Sequence, residues 1–182
     1  MKRTLIALAM ALSSTAAFAN TGNINFHGTI TPGGTCPIEV VEPGTGGGIL
    51  PRVVVGSYHP SYFDTIGKQT RHIPFALRIT PSGPGGPCTI NPGEEGYVTF
   101  SAVYGPAGTN LYALRPTGAR GLALAIQDKS LTNLAPGQES AAYALDETKP
   151  TDMMFYAMYE STAANVTEGD AASEVTFLVD IK

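Results

Sequence analysis

Residues 173–182, SEVTFLVDIK, place Val175, Phe177, Val179 and Ile181 at every second position. Strict alternation of this kind turns one side of an extended strand toward an apolar core and the other toward water. The same period recurs along most of the chain. Ile38 and Val40 alternate after the first cysteine, and RVVVGSY (52–58) is a β-branched run ended by Gly56. Ile73, Phe75, Leu77 and Ile79 share one side of IPFALRI, where Pro74 predicts a late start or an open edge. Val98, Phe100, Ala102 and Tyr104 oppose Tyr97, Thr99, Ser101 and Val103. Leu122, Leu124 and Ile126 alternate with alanines, so the second side of that strand is small and suited to being covered.

TDMMFYAMYES (151–161) is apolar on both sides from Met153 to Tyr159. A helix competes for this segment, because methionine and alanine favour one. The aromatics and the preceding Pro150 favour a central strand buried on both faces. Met154, Tyr156 and Met158 form its second apolar side, suited to lying under a loop or against a neighbouring molecule. Seven or eight strands result, separated by Gly/Pro clusters such as 43–51 and 81–93, with no convincing amphipathic helix. The expected fold is an all-β sandwich in a single domain.

The first residues read as an export signal. Lys2 and Arg3 precede the apolar stretch Leu5 to Leu12, and Ala17 and Ala19 supply small residues at −3 and −1 of a cleavage site. Cleavage after Ala19 leaves 163 residues. It also removes two of the 11 cations, leaving 9 against 15 Asp and Glu, a net charge of −6. No basic run is present, which argues against nucleic acid or anionic lipid as partners. No later stretch is long enough to span a bilayer, so direct membrane insertion is not expected.

Cys36 and Cys88 both follow the signal, and an exported chain with two cysteines is expected to join them. The bridge would close a loop of 52 residues, worth roughly 4 kcal/mol in the chain-entropy model. His27, His59 and His72 lie in three separate segments and do not suggest a metal site. No G-x-S-x-G nucleophile motif occurs. Glu94-Glu95 and Asp146-Glu147 are adjacent loop acids rather than carboxylates opposed across a cleft. No enzymatic activity and no cofactor are expected. The sequon at Asn165 reads as a chance match in a bacterial-type export context.

One segment does not fit a self-contained sandwich easily. NINFHGTI (23–30) alternates Ile24, Phe26, Gly28 and Ile30 against Asn25, His27 and Thr29, then breaks at Pro32-Gly33-Gly34 before Cys36. It can be the first strand of its own sandwich, or a strand meant for another partner.

With strands and cysteines placed, the mature chain resembles subunits of chaperone–usher pili, the type 1 and P pilus class. The resemblance rests on INFHGTI leading to the first cysteine, on VVVGSY and then IPFALRI before the second, and on GARGLALAIQDKSLTNLAPGQ. It rests also on MMFYAMYEST and VTEGDAASEVTFLVDIK, with Gly169 fourteenth from the C-terminus, where the family places a glycine. Ile181 departs from the pattern, since the family usually has an aromatic next to last.

The resemblance implies an incomplete immunoglobulin-like β-sandwich that lacks its last strand. Residues 1–19 would be the signal peptide, 20–31 an N-terminal donor-strand extension, and 32–182 the pilin domain. Ile24, Phe26, Gly28 and Ile30 would be donor positions. Gly169, Val175, Phe177, Val179, Ile181 and Lys182 would belong to the strand bordering the groove and to chaperone docking. The implied partners are a periplasmic chaperone, an outer-membrane usher, and other copies or related pilin subunits. The implied function is a structural subunit of surface fimbriae that supports cell adhesion. A tip lectin would need a second domain in a longer chain. A self-contained secreted β-sandwich that binds a ligand as a monomer is the competing reading.

Overall fold

The computed structural model describes residues 22–28, 36–44, 46–83 and 85–182. The proposed signal, Ile30 and Pro32-Gly33-Gly34 lie outside them. Eleven strands form two sheets, and no α-helix occurs among the described residues. In chain order they are β1 (Gly22–Gly28), β2 (Ile38–Val41), β3 (Val53–Gly56), β4 (Ile73–Ile79), β5 (Glu95–Ala102) and β6 (Pro106–Ala107). There follow β7 (Leu111–Ala113), β8 (Leu122–Gln127), β9 (Tyr143–Ala144), β10 (Thr151–Ser161) and β11 (Ser173–Ile181). The first sheet runs β3-β1-β11-β5-β9 and the second β2-β4-β10-β8-β7-β6.

Every long alternating segment of the sequence is a strand. The three that the alternation did not reveal, β6, β7 and β9, have two or three residues each. Pro74 sits on an open edge as expected. β2 pairs with β4 only from Ala76 to Ile79, so the proline's missing N–H faces no ladder partner on that side.

The core lies between the sheets. Phe75, Phe100 and Phe155 meet at its centre, with ring centroids 4.9–6.3 Å apart. β10 is central, paired antiparallel with β4 on one side and β8 on the other. Its second side is covered as well: Met158, Ala123 and Ala125 are buried with Leu111, and Ala107 and Tyr156 pack against them. Leu111 of the β6–β7 hairpin thus joins the same cluster as Met158, while Met154 and Tyr156 stay half-buried. A smaller cluster closes one end of the sandwich, where Ile79, Cys88, Ile90 and Leu145 pack with Cys36 and Ile181. The Cys36–Cys88 disulfide forms there.

Candidate assembly groove

β11 is the axis of the first sheet. Its residues Ser173 and Val175 are fully buried, while Phe177, Val179 and Ile181 are half-buried and pack on core residues. One flank of β11 pairs antiparallel with β5, from Val175 opposite Ala102 to Ile181 opposite Gly96. The other flank is a slot, with β3 as its far wall.

β1 occupies that slot. It pairs antiparallel with β3, Ile24 opposite Val53, and parallel with β11, Ile24 opposite Ser173, Phe26 opposite Val175 and Gly28 opposite Phe177. Ile24, Phe26 and Gly28 thus take the register positions beside core-facing residues of β11, the set that the alternation singled out. The chain has laid its N-terminal strand along its own groove. The sequence carried no information on direction, since a period of two reads the same both ways.

The end of the slot at Ser173 is built by close backbone approach. Gly169 has φ +151°, and a Cβ there would lie 2.7 Å from the Ala119 backbone nitrogen. A Cβ on Gly118 would lie 1.9 Å from the Asp170 carbonyl oxygen. The two loops interlock through the Ala119 amide, which donates to the Asp170 carbonyl at 2.9 Å. The Tyr159 hydroxyl donates to the Ala171 carbonyl, and burial pushes that phenol above its ordinary pKa. Gly169 therefore serves the loop that launches β11 rather than the strand itself.

Beside this loop the Arg115 amide donates to the Ala172 carbonyl at 2.7 Å. The Arg115 guanidinium reaches Glu174 Oε1 at 2.6 Å and the Tyr104 hydroxyl at 3.2 Å. The Tyr104 hydroxyl donates to the same carboxylate oxygen at 2.7 Å. Sequence reading missed this trio, because its members lie 11 and 59 residues from Arg115. Tyr58, Phe63, Leu122, Tyr159 and Val166 line a cavity of about 20 Å³ at this end of the slot.

The opposite end is held by the last residue. Lys182 exchanges two backbone hydrogen bonds with Glu95, at 2.8 and 3.0 Å. Its ammonium lies 2.6 Å from Glu139 and 4.7 Å from the centre of the Tyr97 ring. The Glu139 contact raises the Lys182 pKa. Ile181 packs on the disulfide cluster in place of the aromatic the family usually has.

Among the described residues no group of His, Cys, Asp and Glu is arranged to hold a metal. His59 instead accepts from the Ser61 amide at 3.2 Å, and the His72 ring lies 6.1 Å from that of Tyr156.

A two-sheet all-β sandwich whose first sheet is completed by an N-terminal strand defines the class: an immunoglobulin-like pilin fold. The chain belongs to the fimbrial protein family, which matches residues 24–182. It is 28% identical to the type-1 fimbrial protein A chain of Salmonella typhi over 177 residues, 94% of this chain and 88% of that one. It is 27% identical to the type 1 fimbrial subunit of Salmonella typhimurium over 179 residues, 95% and 89% of the two chains. In fold it is similar to the P pilus rod subunit PapA, with a TM-score of 0.58 at 15% identity over 81% of this chain and 99% of that one. It is also similar to a chaperone–usher pilus subunit, with a TM-score of 0.59 at 14% identity over 97% and 100%. The protein is a structural subunit of surface fimbriae, from a family that is not enzymatic and whose members assemble with other pilin copies.

Proposed function

We propose that this subunit polymerises by donor-strand exchange, with residues 20–31 of one copy filling the groove beside β11 of the next. On this reading residues 1–19 are a cleaved signal, a periplasmic chaperone fills the groove during transit, and an outer-membrane usher exchanges the chaperone strand for the donor. Residues 32–182 form the pilin domain. Val175, Phe177, Val179 and Ile181 border the groove, and the Lys182 carboxylate anchors the chaperone.

The observation that carries the reading is the placement of β1, which fills a slot between β3 and β11 and runs parallel to β11. That direction is the one a strand tethered to the same domain can take. Cys36 and Ile181 share the small end cluster, so β1 runs toward the end where its own chain continues. An inverted β1 would leave Gly28 near Ser173, a strand length of about 27 Å from that end. The eight steps from Gly28 to Cys36 reach about 26–29 Å when fully extended, with nothing left for the reversal. A strand from another copy has no such tether. It can run antiparallel to the nine-residue β11, the more stable pairing per residue. Exchange thus replaces a parallel ladder on the long strand by an antiparallel one.

The test removes residues 20–31 and supplies them back as a synthetic peptide. The truncated chain, released from its chaperone, should be unstable alone, and the peptide should restore a cooperative thermal transition. A truncated chain that is a stable monomer and ignores the peptide would support the monomeric binding module instead.

A further inference from the structure

β2 is the edge strand of the second sheet, and an unpaired edge is a template for strand addition. Here the edge is already covered by the next stretch of the chain. After Val41 the backbone turns and comes back along β2. The Glu42 amide donates to the Gly48 carbonyl at 3.0 Å, the Leu50 amide to the Val40 carbonyl at 2.7 Å, and Ile49 bridges Val41. Of the residues doing this, Leu50 packs on the main core but the rest have little hold of their own. Ile49 is 64% exposed, and the turn is rich in glycine.

The hold on the turn itself comes from Arg78. It sits on the outer side of β4 between two carboxylates in register, Glu39 of β2 and Asp152 of β10. Its Nε and one Nη bond Asp152 at 2.6 and 2.8 Å. The remaining donors reach the turn, one to the Gly44 carbonyl at 3.1 Å and one to the Gly47 carbonyl at 3.3 Å. A planar guanidinium has the fork to bind a carboxylate and two carbonyls together, which a lysine lacks. Gly47 is the other requirement, because a Cβ there would lie 1.7 Å from the Glu42 carbonyl oxygen.

We propose that the returning segment Gly47–Leu50 is a latch closed by Arg78, and that it keeps β2 from pairing edge to edge with β2 of a second copy. In a solution of this chain every released copy offers the same four-residue edge, so a two-fold antiparallel pair is the simplest contact available. Centred on Val40, that pair sets Val40 against its own copy and Glu39 against Val41, keeping like faces together and the two glutamates apart, so nothing in the strand opposes it. The latch leaves the groove beside β11 as the strand-accepting edge in use. In this the inference rests on the donor-strand reading.

The experiment uses the full mature chain with two independent lesions, Arg78→Gln and Gly47→Ala, followed by amide hydrogen exchange and light scattering. Both variants should speed exchange at the Glu42 and Leu50 amides at least tenfold. The Thr70 and Ser140 amides, bonded to Tyr159 and Val98, should keep their wild-type rates. Both variants should form concentration-dependent dimers in which β11 amides stay protected. Unchanged exchange at Glu42 and Leu50, or a uniform rise at every amide, would overturn the latch. So would faster exchange without dimers, or dimers that excess peptide of residues 20–31 dissolves, since the groove would then be the contact. The peptide test of the donor strand reads out separately, so failure of one is not failure of the other.

Discussion

Gly118 and Gly169 face each other across two loops with no room for a side chain on either. A Cβ on the first would meet the Asp170 carbonyl oxygen at 1.9 Å, and one on the second the Ala119 nitrogen at 2.7 Å. This contact sets where β11 begins, and β11 is the wall of the groove. Gly118 closes a turn on the Arg115 carbonyl at 3.0 Å, but it is the Asp170 carbonyl that leaves no room for a Cβ there.

Gly118→Ala and Gly169→Ala should each destabilise the subunit by about 1–3 kcal/mol, the usual cost of forcing atoms into a packed site. At Gly169 the backbone adds strain, since φ +151° suits residues without a Cβ. For a domain of this size each kcal/mol lowers the melting temperature by about 2–4 °C. Thermal denaturation of the chaperone-free closed monomer measures it, and wild-type melting from both variants would contradict the interlocked loops.

The disulfide gives a second expectation. Cys36 and Cys88 pack in the same small cluster as Ile181, so the bridge supports the end of β11 as well as closing a long loop. Cys36→Ser with Cys88→Ser should cost up to about 4 kcal/mol. Hydrogen exchange should rise first at Val179 and Ile181 and later at Val175. Equal loss of protection along all of β11 would mean that the cluster does not hold that end.

Acid should weaken the Arg78–Asp152 pair. The Arg78 hydrogen bonds hold the Asp152 carboxyl below its ordinary pKa, and the Gly44 backbone adds to this. A carboxylate with a depressed folded pKa contributes stability that is complete above its unfolded value, about 3.9, and is lost as pH falls through the folded value. Asp152→Asn should therefore be less stable than wild type at pH 7, and the gap should shrink below about pH 4. Urea midpoints at the two pH values test this, and a gap that widens in acid would contradict it.

Much of the fold was legible because its strands are long. Val175 to Ile181 and Ile73 to Ile79 each show enough alternate positions to fix both strand and face. Leu111–Ala113 and Tyr143–Ala144 do not, and they are strands because β8 and β5 lie alongside them. The apolar second side of β10 was visible, but its clustering with Leu111 was not, since nothing local ties residue 111 to Met158. At the groove, Ile24, Phe26 and Gly28 were legible as a set. The partner of that strand within the chain, and its parallel direction, were fixed by tether length and by where Cys36 is anchored. The hold on the C-terminus was equally hidden, because Lys182 and Glu139 are brought together by the fold alone.

The most direct measurement of donor-strand exchange is fibre formation by Phe26→Asp and Gly28→Leu, each expressed with chaperone and usher. Phe26 stands opposite Val175 and Gly28 opposite Phe177 in the ladder with β11. An unpaired carboxylate in that row costs several kcal/mol, about 2–7 even for a neutral polar group left unbonded. A branched side chain at Gly28 would hold the donor backbone away from the groove. Both variants should yield normal amounts of the chaperone complex, because the chaperone supplies the missing strand there, and neither should yield surface fibres. Fibres from Phe26→Asp in wild-type number would contradict donor-strand exchange here, since residues 20–31 would then not be the strand that joins one subunit to the next.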